Sequence, residues 1–311
     1  MSSFSISEAF GAGFRVIARK PLAVAVWGII YMLLTLGPFL VVMAVAGPAL
    51  FAQAAGGAEP DAALLAGPLG IIQPISWIAS MAAVAIVFNA IYRAVLQPDD
   101  DRAFYMRLGA AEAWQGLVQF VFGILMAIGI IVVIVVVAIL FGSALALSGA
   151  GGGGGGTLAG IGVVGGLVVL VLVGVLWWLV LRLCLAGPMT LADRTFRLFE
   201  SWTLTRGQTL KLFALSLLLL VVVIVLYLVL VLLAAAVLGL GIGGLASLAS
   251  PGALERMFTD GSGLAVAIPP IVLFGVALSA IYGLVMTVVV APWAEVYRQL
   301  SGRTVDADTF A

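Results

Sequence analysis

The chain alternates long apolar runs with short segments that carry most of its charge. A membrane helix needs about 20 mostly apolar residues. Six runs meet that length: 22–46, 70–95, 117–141, 163–187, 211–236 and 268–294. The fifth continues to Leu248 through Gly239, Gly241, Gly243 and Gly244. It is read as one helix with a glycine-loosened exit, the alternative being two short helices.

Three segments between the runs have a different pattern. Residues 4–20 place Phe10, Phe14 and Ile17 at i, i+4 and i+7, with Glu8, Arg15 and Arg19 elsewhere. That spacing predicts an amphipathic helix lying in the headgroup plane. Residues 102–115, with Phe104 and Trp114, read similarly. So do residues 193–207, with Phe196, Phe199 and Trp202 against Arg194, Arg197 and Arg206. Each such segment precedes an odd-numbered run. The expectation is an all-α membrane protein, one integral membrane domain over 1–311 with six transmembrane helices and amphipathic helices on the cytoplasmic face. The order also suggests a threefold internal repeat with units 4–96, 102–190 and 193–298. Its signature is Glu8-Ala9-Phe10, Glu112-Ala113-Trp114 and Glu200-Ser201-Trp202, although Glu295-Val296-Tyr297 has nearly the same form after the last run.

Composition agrees with the pattern. Apolar residues make up 64% of 311 and charged residues 9%, against about 25% charged in an ordinary soluble domain. So small a soluble chain cannot bury that much apolar surface, so a soluble enzyme, a nucleic-acid binder and a disordered chain are excluded. Thirteen of the 14 Lys and Arg residues fall before the first run, in the second–third and fourth–fifth connections, or after the last run; the exception is Arg256. The positive-inside rule then places both termini in the cytoplasm. A cleaved leader ending near Ala52-Gln53-Ala54 is the competing reading of the N-terminus. The first run is longer than the roughly 7–15 apolar residues of such a leader, which favours a span.

Candidate chemistry is sparse. The chain has no histidine and one cysteine, Cys184. That removes histidine-based hydrolysis, haem ligation by histidine, the usual zinc sites and an intrachain disulfide. No catalytic residue, metal site or cofactor is expected, and zero net charge offers no field for a nucleic-acid partner. Asp99-Asp100-Asp101 reads as a solvated turn, Gly151–Gly156 as a flexible loop, and residues near Met257-Phe258 as a further interfacial helix. Within the runs the polar residues of interest are Gln73, Asn89, Arg182 and Glu295. Snorkelling to the interface explains Arg182 and Glu295, the alternative being an ion pair between them. Interhelical hydrogen bonding explains Gln73 and Asn89, the alternative being a polar pore lining. Gly162/Gly166 and Gly275/Ser279/Gly283 permit close helix approach, read as internal packing.

The stretch Arg197-Leu198-Phe199-Glu200-Ser201-Trp202-Thr203-Leu204-Thr205-Arg206-Gly207, followed by Lys211-Leu212-Phe213, resembles a known signature. It is similar to the Ser-Trp-x-Leu-Thr-x-Gly segment of the bacterial glycerophosphodiester phosphodiesterase membrane-domain family. The match covers about 25 residues and implies a polytopic inner-membrane protein. No hydrolytic activity is carried over, because the chain contains no segment resembling the soluble phosphodiesterase domain.

Function is expected to be non-enzymatic: engaging membrane phospholipid or organising the local bilayer, with self-association into a homo-oligomer. The headgroup rim would be Arg15, Arg19, Lys20, Arg194, Arg197, Arg206 and Lys211, with Phe10, Phe14, Trp114 and Trp202 as interfacial aromatics. Each rim cation gains roughly 1 kcal/mol on an anionic leaflet. A passive channel or small-solute or lipid transporter, and a membrane anchor for a protein complex, are the alternatives.

Overall fold

Long apolar runs with no competing polar partners satisfy their backbone internally, and the result is helix throughout. The computed structural model describes residues 4–55, 62–99, 102–107, 109–149, 155–248 and 262–302, and these contain no strand. The helices are α1 (Ile6–Arg19), α2 (Pro21–Ala55), α3 (Ala62–Leu96), α4 (Ala110–Gly149), α5 (Gly155–Leu183), α6 (Ala186–Asp193), α7 (Ser201–Leu204), α8 (Thr209–Leu248) and α9 (Ser262–Ser301). Six of them, α2, α3, α4, α5, α8 and α9, are long and apolar enough to cross a membrane. At ~1.5 Å per residue, the 35 residues of α2 extend about 52 Å, well beyond the roughly 30 Å hydrocarbon layer. The fifth apolar run remains one helix to Leu248, its glycines included.

Burial is uneven along these helices. The main core cluster draws on residues 4–27, 87–105, 181–191, 212–219 and 288–300. Those are the ends nearest the basic segments. Further along, large apolar side chains point outward on every long helix, among them Leu33, Ile71, Ile131, Leu167, Val221 and Val272. The six helices are held together at their basic ends, and their remaining length presents an apolar belt.

Close packing has a specific origin. A methyl group added at Gly28 of α2 would strike the Ser279 carbonyl oxygen and come within 2.8 Å of the Gly283 nitrogen on α9. At Gly283 the same addition would strike the Val24 carbonyl. Ser279/Gly283 is therefore an internal packing pair, whereas a methyl at Gly275, the third member of the expected pattern, meets nothing within 4 Å. Gly162 and Gly166 are not, since a methyl at either meets nothing within 4 Å.

The segments between spans depart from expectation. The first does form a helix, α1, capped by Ser5, whose hydroxyl accepts from the Glu8 N–H. It docks on α9 through a face of small residues, Ala9, Ala12, Gly13 and Val16. A methyl at Gly13 would come within 2.7 Å of the Val288 backbone. The helix has two apolar faces, and the smaller one wins the protein contact because backbones approach closest there. Phe14 is left 45% exposed.

The second segment is not a helix. Residues 102–105 form a single turn, and Glu112 and Trp114 belong to the start of α4. The third contains only the four-residue α7. The three copies of the Glu-Ala-Phe-like signature therefore sit in three different settings: the first turn of α1, the first turn of α4, and the N-cap and first two residues of the four-residue α7. Asp100, Asp101, Gly151–Gly154 and the stretch around Met257 and Phe258 lie outside the described residues.

Candidate functional site

Glu295 lies near the end of α9 and is almost fully buried, 2% exposed. Its Oε1 accepts from Arg298 Nη2 and from Gln299 Nε2, each at 2.8 Å. Its Oε2 lies 3.6 Å from Arg15 Nη2. Gln299 also accepts from the Ser5 backbone N–H at 2.8 Å and donates to Glu8 Oε2 at 3.1 Å. The start of α1 is thus tied to the end of α9. Neither of the sequence-level readings of Glu295 holds. It does not snorkel, and its partners are Arg15 and Arg298 rather than Arg182.

Around this carboxylate is a cavity of about 110 Å³, lined by Arg15, Arg19, Lys20, Tyr105, Glu295 and Arg298 among others. Among the described residues, the lining sets four cations against one carboxylate. Three of the four belong to the expected rim; Arg298 was not assigned to it.

The turn beside this cavity is strained. Ala103, Phe104 and Tyr105 have φ of 49°, 57° and 63°, a left-handed conformation that costs about 1–2 kcal/mol per non-glycine residue. The Met106 N–H donates to the Ala103 carbonyl at 3.1 Å, and side-chain hydrogen bonds hold the turn as well. Trp27 Nε1 donates to the Phe104 carbonyl at 2.8 Å, Arg93 Nη1 donates to the Tyr105 carbonyl at 3.1 Å, and the Tyr105 hydroxyl donates to the Pro98 carbonyl at 2.8 Å. Arg93 Nη2 also donates to Glu112 Oε1.

Arg194, a rim residue, faces a second cavity of about 240 Å³ together with Arg93, Arg107, Glu112 and the first residues of α4. The positive end of the α4 dipole adds to the arginines there. The other rim members are dispersed. Arg197 Nε pairs with Asp193 Oδ2 at 3.0 Å. Arg206 is exposed. Lys211 Nζ donates to the Phe4 carbonyl at 3.4 Å and lies 5.9 Å from the centre of its ring. The sequence places all these cations at one end of the molecule; it does not reveal that they divide between two cavities and separate surface contacts.

The Ser201–Gly207 stretch folds back under α5. The buried Ser201 hydroxyl donates to the Arg182 carbonyl at 2.8 Å, and the buried Thr205 hydroxyl donates to the Ser201 carbonyl at 2.9 Å. The Trp202 ring meets Trp178 edge-on, with centroids 4.9 Å apart. The Arg182 guanidinium lies 5.4 Å from the Trp178 ring centre and 5.5 Å from that of Trp202. Its Nε and Nη1 are buried without a hydrogen-bond partner. Arg182 is therefore held by aromatic rings, and its expected alternative partner Glu295 pairs with Arg15 and Arg298 instead.

The neutral polar residues do not link helices as expected. Gln73 is exposed, and Asn89 is fully buried with no partner for either amide atom. One faces out and the other in, so they share no lining. Thr35, Ser279 and Thr287 bond back to carbonyls of their own helices, the usual fate of a hydroxyl within a helix. Gln115, which sequence reasoning did not single out, is fully buried and without a partner. It lies beside Gly187 and Tyr92, since a methyl at Gly187 would come within 3.1 Å of its Nε2 and 2.7 Å of the Tyr92 hydroxyl. Phe10 is half-buried, while Phe14, Trp114 and Trp202 are all exposed.

No family model, no curated protein and no solved structure matches the chain.

Proposed function

We propose that this is a non-enzymatic integral protein of a bacterial inner membrane whose basic end, with both termini, faces the cytoplasm and binds anionic phospholipid headgroups. The observation that supports this reading is the cavity lined by Arg15, Arg19, Lys20 and Arg298 beside the buried Glu295 carboxylate, which pairs with Arg15 and Arg298. Exposed Phe14 on the same helix gives the site an apolar edge toward acyl chains. The reading includes a homo-oligomer, for which Gly162 and Gly166 on the open face of α5 allow a second copy to approach closely.

The test is retention of phosphatidylglycerol over phosphatidylcholine by the purified full-length protein at increasing salt. Glu295→Gln removes the negative group that lines the cavity among the described residues and is expected to strengthen anionic-lipid retention by about fivefold, corresponding to roughly 1 kcal/mol per unit charge. Replacing Arg15, Arg19 and Lys20 together by Gln is expected to weaken it by well over tenfold. Equal retention by that triple variant and the native chain would refute the proposal.

A further inference from the structure

A separate groove of about 370 Å³ lies between α5 and α8. Val173, Gly174, Trp177 and Trp178 form one wall, and Leu210 and Phe213 form the other. Its α5 wall runs from Leu170 to Leu181, about 16 Å at 1.5 Å per residue, which is close to half of the roughly 30 Å hydrocarbon layer. The groove therefore has the depth of one leaflet. It ends at Leu181, immediately before Arg182. Trp178 both lines the groove and holds the guanidinium.

We propose that this groove holds one acyl chain of an anionic phospholipid whose phosphate is recognised by Arg182. The charge argument is direct. Arg182 has no carboxylate partner among the described residues, and its Nε and Nη1 lack hydrogen-bond acceptors. A guanidinium edge matches a phosphate with two parallel N–H donors. The Trp178 and Trp202 rings, 89° apart, pack around the guanidinium from two sides without supplying it a hydrogen-bond acceptor. Exposed Arg206 lies three residues before Thr209, at the same end of the groove. This inference rests on the lipid-binding reading above but uses none of the residues of the Glu295 cavity.

Native mass spectrometry of the full-length protein with phosphatidylglycerol or phosphatidylcholine of matched chains tests it. The native chain is expected to retain phosphatidylglycerol preferentially. Arg182→Met should reduce that preference by about tenfold while leaving phosphatidylcholine retention in place. Gly174→Leu should abolish retention of both lipids at this groove; a methyl at Gly174 meets nothing within 4 Å, so the helix can accept the larger residue. The triple Gln variant of Arg15, Arg19 and Lys20 should leave the Arg182-dependent preference intact, so the two sites can fail separately. An unchanged preference in Arg182→Met overturns the proposal. So does displacement of the lipid by soluble glycerol phosphate, which would mean that the groove contributes nothing. If Arg182→Met fails to fold, Gly174→Leu decides alone, and native-level retention by it overturns the proposal.

Discussion

Arg93, at the end of α3, and Glu112, in the first turn of α4, form a buried ion pair with side chains only 9% and 8% exposed. The pair closes the connection between two spans, and the other arm of Arg93 binds the Tyr105 carbonyl in that connection. Glu112 also lies in the first turn of its helix, where the dipole favours a negative charge.

Breaking this pair from one side leaves an uncompensated buried charge, which costs about 3–5 kcal/mol. Arg93→Met or Glu112→Leu should lower the thermal midpoint of the detergent-solubilised protein sharply. The double variant should recover much of the loss, because two apolar groups desolvate without penalty. Additive losses in the double-mutant cycle would show that the pair is not coupled.

The strained turn makes the opposite kind of prediction. Ala103, at φ 49°, occupies a conformation that glycine adopts freely. Ala103→Gly should therefore stabilise the protein by about 1 kcal/mol. Trp27→Phe removes the donor to the Phe104 carbonyl and should destabilise it by about 1 kcal/mol, the net contribution of one part-buried hydrogen bond. Unfolding midpoints of the two variants should move in opposite directions.

At the α2–α9 crossing, Gly28→Val and Gly283→Val each place side-chain atoms against backbone that cannot yield cheaply. Overpacking typically costs 1–3 kcal/mol, about the loss expected for either variant. Gly166→Val, in open space, should leave the monomer's midpoint nearly unchanged. Comparing the three in one thermal series tests whether this contact sets the crossing.

The proposed orientation has its own test. In a Cys184→Ser background, cysteines introduced at Asp100 and at Gly153 should react with an impermeant thiol reagent from opposite sides of sealed vesicles. Reaction of both from the same side would overturn the six-span threading.

The six apolar runs were legible from residue type alone, because hydrocarbon imposes a length and a polarity on any segment that crosses it, whatever its neighbours. The gathering of charge at one end was legible for the same reason. Partner choice was not. That Glu295 takes Arg15 and Arg298, that Arg182 is held by Trp178 and Trp202, and that Arg93 meets Glu112 all depend on how each helix is rotated and where it crosses the next. Those angles follow from close backbone contacts such as Gly28 with Gly283, and in a chain where nearly every side chain is apolar and glycine is abundant, periodicity carries no mark of them. For α1 the sequence showed the larger apolar face, Phe10 and Phe14. Only the tertiary structure decided that the smaller face, Ala9, Ala12 and Gly13, would meet α9, since the contact that brings two helix axes closest is the one the protein keeps for itself.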